Sequence, residues 1–381
     1  MPQNRVTAYS DVKVYGAGGA LTFDLLFIQR VRNKFKYGRV VSLELRTKWV
    51  AATGSAGSRG EVLFNAITGI EFKDSAGPRT LSNGLDLHMK NVEEIAGYRG
   101  PRDMAASQTT ANNQTHHLDL HPVEVQSELD EEDHGILLSD IGDTGSVTLT
   151  LAAIAALSTN GATIDAATSF QLIAEMEEAT PGRQYPRTVI MGYPNVVSPI
   201  ASRFNVKGSL RSLIVHAGAG AVITPTPLTE QNWMIPDLEY GQGLPSTFLQ
   251  HKYARRGTAA VRDNAGVIAT DDPFMSGLAV PLWTANRGQK VSDMPDLDTV
   301  GIQNDGTVPT SPPSRVVITT VVDRPAQLVA DSLAVRGAPS PSVDQVKALY
   351  GSKGHIAGAG GRKIDKRIGR LARRLPIVIK P

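Results

Sequence analysis

The sequence predicts an all-β protein built as two consecutive β-sandwiches, and three observations carry that expectation. Long segments alternate apolar and polar residues with a period of two, the pattern of a strand with one buried face. Gly and Pro together make 59 of the 381 residues, about 15% against a usual ~12%, which supplies the turns that many short strands need. The order of elements in the first half also begins again near the middle of the chain.

Taken from the N-terminus, Arg39 to Val50 is the clearest strand. Val41, Leu43, Leu45, Thr47 and Trp49 fall on one face, and Ser42, Glu44, Arg46 and Lys48 on the other. Trp49 is therefore expected in the core. A small-residue turn over 51–60 leads to an apolar segment over 61–72 and a second turn at 74–78. Residues 84–96 change period: Leu85, Met89, Val92 and Ile95 recur at spacings of four and three, which predicts a short amphipathic helix ended by Gly97. Strand patterns resume over 117–125, 147–151 and 169–176, with the acidic run 128–133 as a solvated loop. Glu175 and Glu177 sit two apart on the last of these strands and are expected to face solvent.

The second half starts after Thr180-Pro181-Gly182. Residues 203–216 read as one long strand with Phe204, Val206, Leu210 and Ile214 on one face. An Ala/Gly turn over 217–221, a mixed segment, a helix over 245–255 and an apolar β-branched strand over 316–322 follow. No residue-by-residue repeat links the halves, yet two sandwiches of about 170 residues each fit the length better than one large barrel. The expected organisation is an N-terminal arm over 1–19, sandwiches over 20–185 and 186–335, and a tail over 336–381.

Composition removes several chemistries. With no cysteine in the chain, disulfides, thiolate nucleophiles and Cys-based zinc or iron–sulfur sites are excluded. The N-terminus shows no apolar h-region, and the longest nearly apolar run, 147–157, is far short of the ~20 residues that span a bilayer; the chain is expected to be soluble as made. No Gly-x-Ser-x-Gly elbow, His-Glu-x-x-His helix or phosphate-binding loop is present. Trp49, Trp233 and Trp283 are too dispersed along the chain to form a sugar-binding platform. One ligand-like group remains, where His117, Asp119 and His121 would share a strand face at ~7 Å spacing. Two His and a carboxylate could hold zinc or iron, and the plainer reading is a polar outer strand face. The sequence predicts no enzyme and no cofactor.

The formal charge of +2 conceals a sharp asymmetry: residues 341–381 carry +8 and the other 340 carry −6. The Gly-rich stretch 351–361 is a flexible tether. Beyond it Ile364, Ile368, Leu371 and Leu375 form a narrow apolar stripe, surrounded by Arg362, Lys363, Lys366, Arg367, Arg370, Arg373 and Arg374, with Pro376 as the stop. A basic helix of this kind suits anionic lipid headgroups, nucleic-acid phosphates or an acidic neighbouring subunit.

One family matches this layout. The run GRVVSLELRTKWVAATG, then EVLFNAITGIEFKD, then LSNGLDLHMKNVEEIAG, spanning 38–97, resembles the first half of the double jelly-roll major capsid proteins of tailless, membrane-containing icosahedral phages, the tectivirus- and corticovirus-like members of the adenovirus lineage. The second half, from RFNVKGSLRSLIVHAG through GLPSTFLQHKYARRG to PFMSGLAVPLWTANRG, is similar in layout. The resemblance implies two consecutive eight-stranded jelly rolls with short helices in the connecting loops. It also implies homotrimers shaped as pseudo-hexagonal tiles, which pave an icosahedral shell over an internal membrane together with penton and minor capsid proteins. The protein would then reside in the virion after assembly in the host cytoplasm, with its basic C-terminal helix touching lipid or nucleic acid. Unlike familiar members, this chain shows no long N-terminal helix and carries its basic segment at the C-terminus. The competing class is a two-jelly-roll glycan-active enzyme or carbohydrate-binding protein, which would need a cleft with paired acids and aromatic residues.

Overall fold

The period-two segments fold as antiparallel strands, and their pairing sorts them into two separate sandwiches. The computed structural model describes residues 5–31, 34–35, 37–50, 60–74, 77–94, 113–120, 135–153, 164–179, 187–194, 202–206, 208–216, 231–238, 240–253, 261–262, 268–269, 279–285, 295–306 and 314–322, with single residues at 52, 98, 101 and 228. The first half contains β1 (Val6–Tyr9), β2 (Lys13–Val14), β3 (Gly19–Asp24), α1 (Leu26–Gln29), β4 (Gly38–Trp49), β5 (Ile67–Asp74), β6 (Gly77–Ser82), α2 (Gly84–Glu94), β7 (Gln114–Asp119), β8 (Ile136–Leu137), α3 (Leu138–Ile141), β9 (Ser146–Leu151) and β10 (Ser169–Glu178). The second contains β11 (Arg187–Pro194), β12 (Ser202–Asn205), β13 (Ser209–His216), β14 (Asn232–Ile235), β15 (Tyr240–Pro245), α4 (Ser246–Tyr253), β16 (Val261–Arg262), β17 (Ile268–Ala269), β18 (Ala279–Thr284), β19 (Thr299–Asn304) and β20 (Arg315–Val322).

In the first half one sheet runs β1-β10-β4-β7, with short β2 and β8 attached, and faces a sheet ordered β3-β9-β5-β6. In the second half the orders are β11-β20-β13-β18 and β12-β19-β14-β15, with β16 and β17 as a separate hairpin. Counting the eight main strands of each half, both read first-eighth-third-sixth against second-seventh-fourth-fifth. This is the jelly-roll arrangement, and it occurs twice. A repeat that leaves no trace residue by residue is thus complete at the level of topology. The N-terminal segment, expected as an arm, is extended and lies along β10 as edge strands.

The first core gathers where the alternation of β4 points. Leu43, Leu45 and Trp49 are buried while Arg46 and Lys48 are exposed. Trp49 meets Phe64 and Phe170 edge-on at 5.8 and 5.9 Å between ring centroids, a favoured geometry for aromatic pairs. The second core is built on Trp233, Leu213, Val215, Leu282, Ile302 and Ile318.

Three expectations are corrected. Residues 203–216 do not form one strand: β12 pairs with β19 and β13 with β18 and β20, in different sheets. The break falls at Gly208, whose φ of 96° is open to glycine and strained for other residues. Apolar spacing alone could not see that change of sheet. All eight residues of β13 are buried, because its sheet has two covered faces. Leu213 and Val215 enter the second core, whereas Ile214, together with Ile190, Ala279 and Val317, belongs to the first.

The predicted amphipathic helix is present as α2, but residues 84–93 are buried on every side. Its spacing identified the period and missed the second partner. Glu177, expected in solvent, is 1% exposed. An extra residue in β4, Val41, shifts the register between Glu175 and Met176 and sets Glu177 opposite Arg39, where it is covered on the face that Glu175 shares. There Arg39 Nε donates to Glu177 Oε1 at 2.9 Å, and Arg5 approaches Glu177 at 3.3 Å. Removing one member of a buried ion pair strands the other charge, so Glu177→Ala is expected to cost about 3 kcal/mol of unfolding free energy in chemical denaturation. A loss under about 0.5 kcal/mol would show the pair to be dispensable.

Candidate functional site

The densest polar chemistry among the described residues lies at the junction of the two jelly rolls, and α2 brings it there. Asn83 caps the helix by accepting the Asp86 N–H on its Oδ1 at 2.7 Å. A 3-10 turn over Gly60–Ala66 packs beneath it. A Cβ on Gly84 would meet Phe64 O and Ile67 Cβ at 2.8 Å, so glycine permits that close approach. Leu87, Met89 and Val92 join the first core, while Asp86 and Glu93, seven residues apart on one face, reach the second roll.

Asp86 is the centre of the junction. Arg315, the first residue of β20, donates from Nε to Oδ1 at 2.8 Å and from Nη2 to Oδ2 at 2.7 Å, a bidentate fork. His216, the last residue of β13 and the register partner of Arg315, shares a hydrogen bond between Nε2 and Asp86 Oδ1 at 2.7 Å. Ser82 donates its Oγ–H to Oδ2 from a backbone φ of 120°, an uncommon conformation for a non-glycine residue. At the other end Thr284 Oγ1 donates to Glu93 Oε1 at 2.9 Å. Gly192 on β11 lies over the carboxylate: a Cβ there would collide with Asp86 Oδ2 and Ser82 Oγ and stand 2.7 Å from Arg315 Nη2. Burial pushes the Asp86 carboxyl upward, but the hydrogen bonds and charges of His216 and Arg315 outweigh it and hold its pKa at about 2, below the ordinary 3.8.

This grouping holds Ser, Asp and His without being a hydrolytic triad. In a triad the imidazole stands between hydroxyl and carboxylate and takes the hydroxyl proton. Here the carboxylate stands between Ser82 and His216, so Ser82 spends its proton on Asp86 and is not activated. Asp86 and His216 side chains are both fully buried. What the arrangement does is lock one roll to the other.

His88, one turn along α2, lies under the junction. It stacks on Phe64 at 4.6 Å between centroids and shares a hydrogen bond with Tyr98 OH through Nδ1 at 3.0 Å, while its buried Nε2 has no partner among the described residues. Burial, then the charges of His116 and His216, lower its pKa to about 3, so the ring is neutral at ordinary pH.

The ligand-like strand face is β7. His117 shares a hydrogen bond with Glu44 Oε2 through Nδ1 at 2.7 Å, and Asp119 is the register partner of Glu44. His121 lies outside the described residues. Among the described residues no group of three or more His, Asp or Glu is arranged to hold a metal. The tail residues Arg362, Lys363, Lys366, Arg367, Arg370, Arg373 and Arg374 also lie outside them.

Sequence reasoning named none of the junction residues. The available signal was Gly192, an isolated glycine inside a strand, which marks a close backbone approach.

No protein-family model and no curated protein matches the sequence. Among solved structures the chain is similar to VP54 of PBCV-1, fitted into a cryo-EM reconstruction of the virophage Sputnik, at TM-score 0.50 and 9% identity over 84% of this chain and 94% of that one. It also resembles the atomic structure of Sulfolobus Turreted Icosahedral Virus, at TM-score 0.49 and 10% identity over 90% and 99% of the two chains. The major capsid protein P2 from bacteriophage PM2 follows at TM-score 0.42 and 12% identity over 83% and 96%. At these identities the likeness is one of fold, and the shared fold is the double jelly roll.

The junction makes acid stability readable. Asp86 titrates lower in the folded chain than in the unfolded one, so its contribution is complete above about pH 4 and is lost as pH falls towards 2. His88 refuses the proton that the unfolded chain accepts, so stability falls from about pH 6.5 downward, by up to ~1.4 kcal/mol per pH unit. His88→Phe is expected to flatten the urea-unfolding profile between about pH 6.5 and 4. Asp86→Asn is expected to cost about 3 kcal/mol at pH 7, with its gap to wild type closing below pH 4. A gap unchanged from pH 7 to pH 2 would show that this carboxylate does not titrate in that window.

Proposed function

We propose that this chain is a viral major capsid protein, a structural tile of an icosahedral shell built over an internal membrane. The observation that carries the reading is the buried Asp86–His216–Arg315 lock, which joins two jelly rolls of identical topology into one rigid body. Such a body presents two similar units at a fixed angle, which is what a tile of pseudo-hexagonal outline needs. The fold shared with VP54 of PBCV-1 supports the same conclusion.

In this reading the working unit is a homotrimer of six jelly rolls. Neighbouring trimers pack side by side, and penton and minor proteins complete the shell. The protein resides in the virion after assembly in the host cytoplasm. No catalytic role is assigned. Division of labour follows the charge: the two rolls, β1 to β10 and β11 to β20, build the wall, and the tail over 336–381 brings a cluster of cations to an anionic surface. Of the surfaces that cluster could meet, membrane is the one we assign, because its apolar stripe is useful only where acyl chains or an apolar face can receive it.

Two measurements test this. Light scattering after size exclusion is expected to give three times the chain mass of 40.7 kDa; a stable monomer would overturn the tile. In flotation with anionic vesicles, the full chain is expected to rise with lipid, and the variant with Arg367, Arg370, Arg373 and Arg374 changed to Gln to lose most of that binding while remaining trimeric. Equal flotation of both proteins, or a wild type that binds neutral and anionic vesicles alike, would remove the membrane role.

A further inference from the structure

The contact that locks the two rolls inside one chain has an equivalent pair of surfaces that are exposed among the described residues. In each roll a helix follows the fifth main strand: α2 after β6, and α4 after β15. α2 docks on the outer face of the second roll's β11-β20-β13-β18 sheet. The topological counterpart of that face is the outside of β1-β10-β4-β7, and the counterpart of α2 is α4.

Strand register says which residues correspond. His216 pairs with Arg315, the first residue of β20, and Lys48 pairs with Ser169, the first residue of β10. Lys48 therefore stands where His216 stands. On the far side Pro194 pairs with Arg315 and Val14 with Ser169, so Val14 takes the place of Pro194, and Val12 that of Gly192. On the helices, Asp86 is the third residue of α2 and Phe248 the third of α4. The chain that gives its internal key a carboxylate thus gives the second key a phenyl ring. The socket changes in step, from Gly192 with the Arg315 guanidinium beside it to a pair of valines with the Lys48 stem beside them.

These positions are the ones left bare. Phe248 is 45% exposed, and Val12 and Val14 are each 59% exposed; they are three of the five exposed large apolar side chains among the described residues. Exposed apolar clusters of this kind mark contact surfaces. Charge agrees at the other end of the helix. Within the chain Glu93 reaches Thr284, which pairs with Ser212. The corresponding pair on the first roll is Asp119 with Glu44, and the last turn of α4 carries His251 and Lys252.

We propose that α4 of one copy docks on the outer face of β1-β10-β4-β7 of a second copy, with Phe248 against Val12 and Val14 beside the Lys48 stem. His251 and Lys252 then meet Glu44 and Asp119. Each chain offers one helix and one face, so the contact is head-to-tail and propagates around a ring. The ring alternates first and second rolls, and its closure at three copies is the trimeric reading above, on which this interface rests.

The absence of native cysteine allows a clean test in the full chain. Val14→Cys and Phe248→Cys are made singly and together, and oxidised after light scattering has given the oligomeric state. The double variant is expected to run as covalent dimers and trimers on a denaturing gel. The two single variants are expected to cross-link when co-expressed and not when expressed alone. A trimer in which the double variant fails to cross-link overturns this interface and leaves the capsid reading standing; cross-linking of either single variant by itself overturns the head-to-tail geometry; a monomer overturns both readings. As an independent arm, Phe248→Glu is expected to shift the trimer to monomer with an unchanged circular dichroism spectrum, and a Phe248→Glu protein that trimerises like wild type overturns the proposal.

Discussion

The constraint on which the molecule depends is a single buried carboxylate. Asp86 has left water, so it must be met by cations and donors, and Arg315 and His216 meet it from the second roll while Ser82 meets it from the first. An unpaired charge at that depth would cost several kcal/mol. The rolls therefore have one relative position that satisfies the group, and a slide or rotation would strand it. Gly192 completes the demand, since a side chain there would occupy the space of the carboxylate. Hydrophobic burial holds each roll together and, through Ile190, Ile214, Ala279 and Val317, also presses the second roll onto the first; the polar contact adds the directional demand on how they meet.

That docking reshapes the sequence pattern of the elements it covers. β4 alternates because one of its faces looks outward, and the alternation is readable by eye. β13 and β20 have no outward face, so their sequences are nearly continuous in buried residues and carry no period. The same logic explains α2. A helix pressed between two rolls has no solvent stripe, and its polar residues Asp86, His88, Lys90, Asn91 and Glu93 are interior groups. Read as a surface helix, it offers four apolar positions and an apparently wet face. In fact the apolar positions face the first core, Asp86 and Glu93 face the second roll, and His88 and Asn91 find their partners within the first.

Under the proposed reading, a tile for a shell has to reconcile permanence inside the chain with reversibility between chains. The internal contact uses charges in full burial, where their geometry is exacting. The proposed contact between copies combines Phe248, Val12 and Val14, exposed in the single chain, with charges at a wet rim, a composition that suits a chain which exists before it assembles. A cysteine-free chain with little net charge on its body is compatible with close side-by-side packing of many copies.

The sequence by itself determined the all-β class, the position of most strands, the helix after β6, the restart of the same plan at mid-chain and the concentration of basic residues over 341–381. Each of these is written in local periodicity, turn residues or charge, and local terms act between near neighbours in the chain. Only the tertiary structure decided that 203–216 divides between two sheets at Gly208, that Glu177 is buried against Arg39 and Arg5, and that residues 84–93 of α2 are enclosed on all sides. It also decided which of many polar residues form the lock. Asp86, His216 and Arg315 are 130 and 99 residues apart in succession, and each looks like an ordinary surface residue in its own segment. Their meaning comes from desolvation at a contact between distant strands, and that contact exists only once both jelly rolls have closed.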